Sequence, residues 1–170
     1  GANDGHFVPA TDSANNIGAS GTEVLNVYAD TVTAGALAGN AWTALRKRTR
    51  TFVLFGNTTD VTTGEVFCYD IPPELVGANI TSVHARVITA GTTGDTTVQL
   101  KRTRSGSAVN VCSTDAAIQS TETMSSDGTA AVINGSNDDM ALCDLLSVNV
   151  SGVSTTKPKG LIVTVGFELQ

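Results

Sequence analysis

An all-β fold is predicted for this chain by three observations: apolar and polar residues alternate, turn signals recur at short intervals, and no stretch carries a convincing helical period. The alternation is clearest near the C-terminal end. There Leu161, Val163, Val165, Phe167 and Leu169 alternate with Ile162, Thr164, Gly166 and Glu168. A period of two over nine residues buries one face of a strand and does not fit a helix. A long strand is therefore expected there, tying the C-terminal end into a sheet.

Earlier elements follow the same logic from residue 51 onward. Residues 51–55 form a short apolar run ending at Gly56. In residues 65–71, Phe67, Tyr69 and Ile71 alternate with Val66, Cys68 and Asp70, and Pro72 and Pro73 then stop the strand. Residues 79–89 place Val83, Ala85 and Val87 on one face and Ser82, His84 and Arg86 on the other. Gly91, Thr92, Thr93 and Gly94 read as a turn. Residues 96–104 then pair with the preceding strand as a hairpin, with Val98 and Leu100 inward. Residues 105–107 turn into a strand at 108–112. Residues 113–128 are polar and take no assignment, and 129–133 is another short strand. Residues 134–139 form a loop. Residues 144–150 direct Leu146, Val148 and Val150 inward. About eight short strands result, and the expectation is an antiparallel two-sheet sandwich of jelly-roll type.

Composition narrows the function. The chain has 170 residues, 41% of them apolar and 15% charged, with a net charge of -6. The acidic balance argues against nucleic acid as the main partner, because phosphate contacts need clustered Lys and Arg. Arg46, Lys47, Arg48 and Arg50 form one basic cluster, read as a solvated hinge. No apolar run approaches the ~20 residues that span a bilayer, so no membrane insertion is expected. No signal-peptide pattern is visible. The chain starts at Gly1 and holds two methionines, Met124 and Met140, and so reads as a fragment or a processed product. Cys68, Cys112 and Cys143 are odd in number and widely spaced, which predicts free, buried or half-buried thiols.

Residues 1–45 differ from the rest. They contain Asp4, Asp12, Glu23 and Asp30 but no Lys or Arg, and their apolar runs are short. Such a segment cannot build a core alone. Its apolar residues are nonetheless too many for a solvated linker. The expectation is an extended segment over residues 1–49 that assembles with other copies of the chain, as in a threefold bundle, and a sandwich domain over 50–170; the resemblance given below makes these a trimerising shaft and a tip. Ile17, Val24, Val27, Tyr28, Val32, Leu37 and the single tryptophan, Trp42, would then bury between copies.

Residues able to carry chemistry are few. His84 lies on the outward face of its strand, and nothing nearby in sequence supplies the carboxylate and nucleophile of a Ser/His/Asp device. Asn137, Asp138 and Asp139, with Asp144, could offer oxygen ligands to Ca²⁺, but their spacing is that of a turn capped by Asx side chains rather than an EF-hand loop. No phosphate loop or dinucleotide fingerprint occurs. No catalytic residue, metal or cofactor is expected. Four sequons, at Asn57, Asn79, Asn134 and Asn149, are expected by chance in a chain this rich in Asn, Ser and Thr.

Two stretches carry a resemblance. Residues 79–104, NITSVHARVITAGTTGDTTVQLKRTR, and residues 119–169 resemble the small β-sandwich modules of tailed-bacteriophage virion proteins, on tail fibres and on head fibres or decoration proteins. The elements that carry it are the strand through Gly128, Thr129, Ala130, Ala131, Val132 and Ile133, the Asn137, Asp138, Asp139 loop, the strand starting at Asp144, and the Pro158, Lys159, Gly160, Leu161 lead into the final strand. Upstream, DSANNIGASG at residues 12–21 and VYADTV at residues 27–32 resemble the repeated units of fibre shafts. Residues 23–26 stand where those units usually have Arg-Trp. The resemblance implies a homotrimer with a shaft and a globular tip, and no enzymatic activity.

The first functional expectation is the C-terminal part of a trimeric tail fibre on the virion exterior, bound to other virion proteins and contacting a bacterial surface glycan or protein. The receptor-contact loops would include Thr92, Thr93, Asp95, Asp127, Asn137 and Asp138. Its rivals are a capsid head fibre or decoration protein and a free carbohydrate-binding module. A surface rich in Thr and Ser and poor in charge suits a particle exterior, where a greasy patch would cause sticking.

Overall fold

The computed structural model describes residues 46–170. The strands are β1 (Lys47–Val53), β2 (Gly64–Asp70), β3 (Ala78–Thr89), β4 (Thr96–Arg104), β5 (Ser107–Asn110), β6 (Cys112–Thr114), β7 (Ala116–Ile118), β8 (Val132–Ile133), β9 (Leu145–Gly152) and β10 (Lys159–Leu169). A single 3₁₀ turn, Pro73–Leu75, follows β2, where the two prolines end the strand. One sheet has the order β1-β10-β3. A second has the order β2-β9-β4-β5, with β7 also on β4, and β6 pairs with β8. Every pairing is antiparallel.

Both sheets turn a face to one hydrophobic core. The first contributes Phe52, Val83, Ala85, Val87, Leu161, Val163, Val165 and Phe167, and the second Val98, Leu100, Leu146, Val148 and Val150. The protein is therefore all-β and antiparallel in these residues, an arrangement compatible with a β-sandwich. The inward positions expected for β3, β4, β9 and β10 are buried, because period two puts the apolar row of each strand on one face; the polar outward Gln99 and Ser147 are buried as well. Leu169, at the end of β10, is only half-buried.

Four expectations need correction. β3 and β4 do not form a hairpin: β3 pairs with β10 and β4 with β9, and residues 90–95 carry the chain from one sheet to the other. A hairpin would put both apolar rows on one sheet, whereas the crossing lets them face each other across the core. The basic cluster is not a hinge. Lys47, Arg48 and Thr49 pair with Glu168, Phe167 and Gly166, so the boundary expected at 49/50 falls inside β1. Arg50 donates to the Tyr69 hydroxyl at 3.3 Å and bonds Glu74 at 3.0 Å, beside a ring cluster of Phe52, Phe67 and Tyr69. Strand 129–133 reduces to Val132–Ile133, with Thr129 bridged to Ala117, and the unassigned 113–128 stretch contains β7. All three thiols are free, but Cys68 and Cys143 are exposed. Only Cys112 is buried, which pushes its thiol up from the ordinary range.

A bulge re-phases β3. Gly166 pairs with Ser82 and Phe167 with Ile80, leaving Thr81 as an extra residue. Ile80 and Val83 can then both face inward, although strict alternation would put them on opposite faces. A Cβ at Gly166 would collide with the Ser82 hydroxyl that the bulge pushes towards it.

At the start of β10, Gly160 has φ +68°, and a Cβ there would lie 2.7 Å from Ile88 Cγ1. Gly160→Ala is expected to cost about 1–3 kcal/mol through a left-handed backbone and this contact. A fall in the urea midpoint with an unchanged slope would show it.

Candidate functional site

Connections between strands gather at two ends. At one end, loops 91–95 and 153–158 are tied by backbone bonds. Thr92 N–H donates to the Thr156 carbonyl (3.2 Å), Thr156 N–H to the Thr92 carbonyl (3.1 Å), and Thr155 N–H to the Thr93 carbonyl (2.8 Å). Thr93 N–H also donates to Ser120 Oγ at 2.9 Å. With the backbone groups occupied, Thr92, Thr93, Thr121, Thr155 and Thr156 present exposed side chains.

The six residues expected in contact loops do not form one patch. Thr92, Thr93 and Asp95 lie at this end. Asn137 and Asp138 lie at the other, where Asn137 Nδ2 donates to the Asn110 carbonyl (2.8 Å) and the Asp138 carbonyl accepts from Ile80 N–H (2.8 Å). Asp127 sits on the flank between them, accepting from Ser126 Oγ at 3.4 Å. The residues expected between copies, Ile17, Val24, Val27, Tyr28, Val32, Leu37 and Trp42, lie outside the described residues.

The far end is closed by charge. Arg102 and Arg104 continue the inward phase of Val98 and Leu100 along β4. Arg104 grips Asp144 with two bonds, Nε to Oδ1 at 2.8 Å and Nη2 to Oδ2 at 2.6 Å. Arg102 Nη1 reaches Asp139 Oδ1 at 2.6 Å and its carbonyl at 2.7 Å, and Arg104 Nη1 reaches Asp139 Oδ2 at 3.0 Å. The Asp144 side chain is fully buried and also accepts from Ala141 N–H at 2.7 Å. Burial alone would push both carboxyls up. The arginine hydrogen bonds outweigh it and hold both below the ordinary range, and the same bonds, Asp144's first, raise Arg104. The acidic loop is therefore bound to arginines of its own chain. Among the described residues no three His, Cys, Asp or Glu side chains group as metal ligands.

One concavity lies elsewhere, on the outer face of the three-stranded sheet. Register sets Ile162 beside Arg86 and Thr164 beside His84 on adjacent strands. Residues 123–125 lie along the other side of β3. Val87 N–H donates to the Thr123 carbonyl, Ser125 N–H to the Ala85 carbonyl (both 2.9 Å), and Ala85 N–H to the buried Ser125 Oγ at 3.0 Å. This brings Met124 and Ser126 into the lining of a groove. The result is a half-open groove of about 230 Å³ lined by His84, Arg86, Met124, Ser126, Ile162 and Thr164. Thr164 Oγ1 lies 3.1 Å from Thr51 Oγ1 of β1. Among the described residues, His84 and Arg86 make no side-chain hydrogen bond or ion pair.

Alternation placed His84 and Arg86 on the outer face. The groove itself had no sequence signal, because the polar 123–126 segment gives no hint of lying against β3. Comparison with protein-family models, with curated proteins and with solved structures returned no match.

Proposed function

We propose that this chain is a bacteriophage virion structural protein. In this reading a jelly-roll tip is carried by a trimer-forming segment that precedes β1, and the tip contacts the host surface. The observation that carries the reading is the strand order. β1-β10-β3, with residues 123–125 along β3 as a fourth, irregular strand, stands against β2-β9-β4-β5. That order supports a jelly roll, an architecture shared by viral capsid and lectin domains. The hydroxyl-rich loops at the end bearing Thr92 and Thr156 add support, since side chains of this kind recognise polar surfaces by hydrogen bonding. The acidic, core-poor sequence of residues 1–45 favours assembly in company.

Light scattering tests the assembly. The full chain is expected at three times its 17.4 kDa mass, and a chain beginning at Arg46, which keeps β1 whole, at one copy. A single-copy mass for the full chain would remove the fibre reading.

A further inference from the structure

We propose that the groove over β3 and β10 binds a carboxylate-bearing sugar unit, with Arg86 taking the carboxylate and Met124 and Ile162 lying beneath the ring. The inference rests on the reading of the domain as a surface-binding tip and names the chemistry of that contact.

Charge is the first argument. Arg50, Arg102 and Arg104 are each ion-paired within the protein, whereas Arg86 has no such partner among the described residues. No carboxylate lines the groove, and His84 stands on the same face. A guanidinium left open beside a concavity offers a planar fork matched to a carboxylate.

Shape and lining add the sugar. A pyranose has an apolar C–H face and a rim of hydroxyls. The groove answers with the apolar side chains of Met124 and Ile162 and with the hydroxyls of Ser126 and Thr164 in its lining. Its volume of about 230 Å³ is below the roughly 300–1,000 Å³ of pockets that hold larger ligands, and so fits one unit of a chain that continues into solvent. The main chain of the walls is preformed, because backbone bonds on both sides of β3 fix where Arg86 and Met124 leave it.

The test is a titration of the full chain with glucuronate, glucose and acetate at one pH and ionic strength, followed by proton NMR of the His84 ring. Glucuronate is expected to bind about tenfold or more tightly than either of the others, the worth of a charge-assisted hydrogen bond added to ring contact. Arg86→Gln, an exposed change, is expected to bring glucuronate down to the level of glucose, and Arg86→Lys to restore part of the difference. Equal binding of glucuronate and glucose would overturn the proposal, as would an unaffected Arg86→Gln variant. Acetate binding as well as glucuronate would reduce the groove to a bare anion site and overturn the sugar assignment. Failure here with a trimeric mass would remove only the groove. Success with a monomeric mass would remove only the fibre.

Discussion

Replacing Phe167 by alanine is expected to lower the unfolding free energy by about 3–5 kcal/mol. Phe167 is 1% exposed and among the largest fully buried side chains. It sits on the middle strand of its sheet, opposite Arg48 of β1 on one side and Ile80 of β3 on the other. Ladders on both flanks hold the backbone in place, so the walls cannot close around the missing ring and a cavity remains. Total stability of a domain this size is commonly about 5–15 kcal/mol, so the change consumes a large share. Leu169→Ala, two residues on and half-buried, is the control and should cost clearly less. Urea denaturation of the two variants decides the matter. Equal, small losses would mean that the core is not sealed at Phe167.

Asp144→Ala is expected to cost about 2–4 kcal/mol, because it removes one member of an ion pair that is buried on the carboxylate side. The Ala141 N–H loses its acceptor, and Arg104 loses both bonds of its fork. The Arg104 side chain is 38% exposed, so water recovers part of that loss and keeps the figure below that of a fully enclosed pair. The same bonds set an acid limit. Asp139 and Asp144 have folded-state pKa values below the unfolded value near 3.8. Their stabilisation is therefore fully present above that value and is lost as pH falls through the lower, folded one. The wild-type protein should lose stability below about pH 4, and the Asp144→Ala variant should show a shallower decline over the same range. Thermal melts from pH 6 to pH 2 measure both. Parallel curves would show that these bonds do not carry the acid sensitivity.

The strands with an alternating apolar row were legible in the sequence. β3, β4, β9 and β10 write their inward residues at every second position, and burial leaves only one face for them. Three kinds of information were not written there. Partner choice was one: β3 and β4 are adjacent in sequence with a turn between them, yet the need to face apolar rows across the core sends them to different sheets. Local register was another, because the extra Thr81 lets Ile80 and Val83 share a face that simple alternation denies them. The third was long-range charge. Arg102 and Arg104 look like solvent-side residues until the 138–144 loop supplies Asp139 and Asp144, about 40 positions away. Of the candidate site, His84 and Arg86 were placed on the correct face, while Met124 and Ser126 fell in a stretch with no readable period.

The central place of β10 has a consequence for the order in which a growing chain acquires shape. β1 and β3 are made first, but the strand that joins them lies about 70 to 110 residues downstream. Throughout the synthesis of residues 90–158 β1 must wait for its partner, and so must the edge of β3 that faces β10, although its other edge can meet residues 123–125. Such pairing is slow, and waiting strands invite the wrong neighbour. The cations at 47, 48 and 50 on β1, and Arg86 on β3, suit the part of gatekeepers in that interval, since like charges would repel a sister chain's equivalent strand until the native partner arrives.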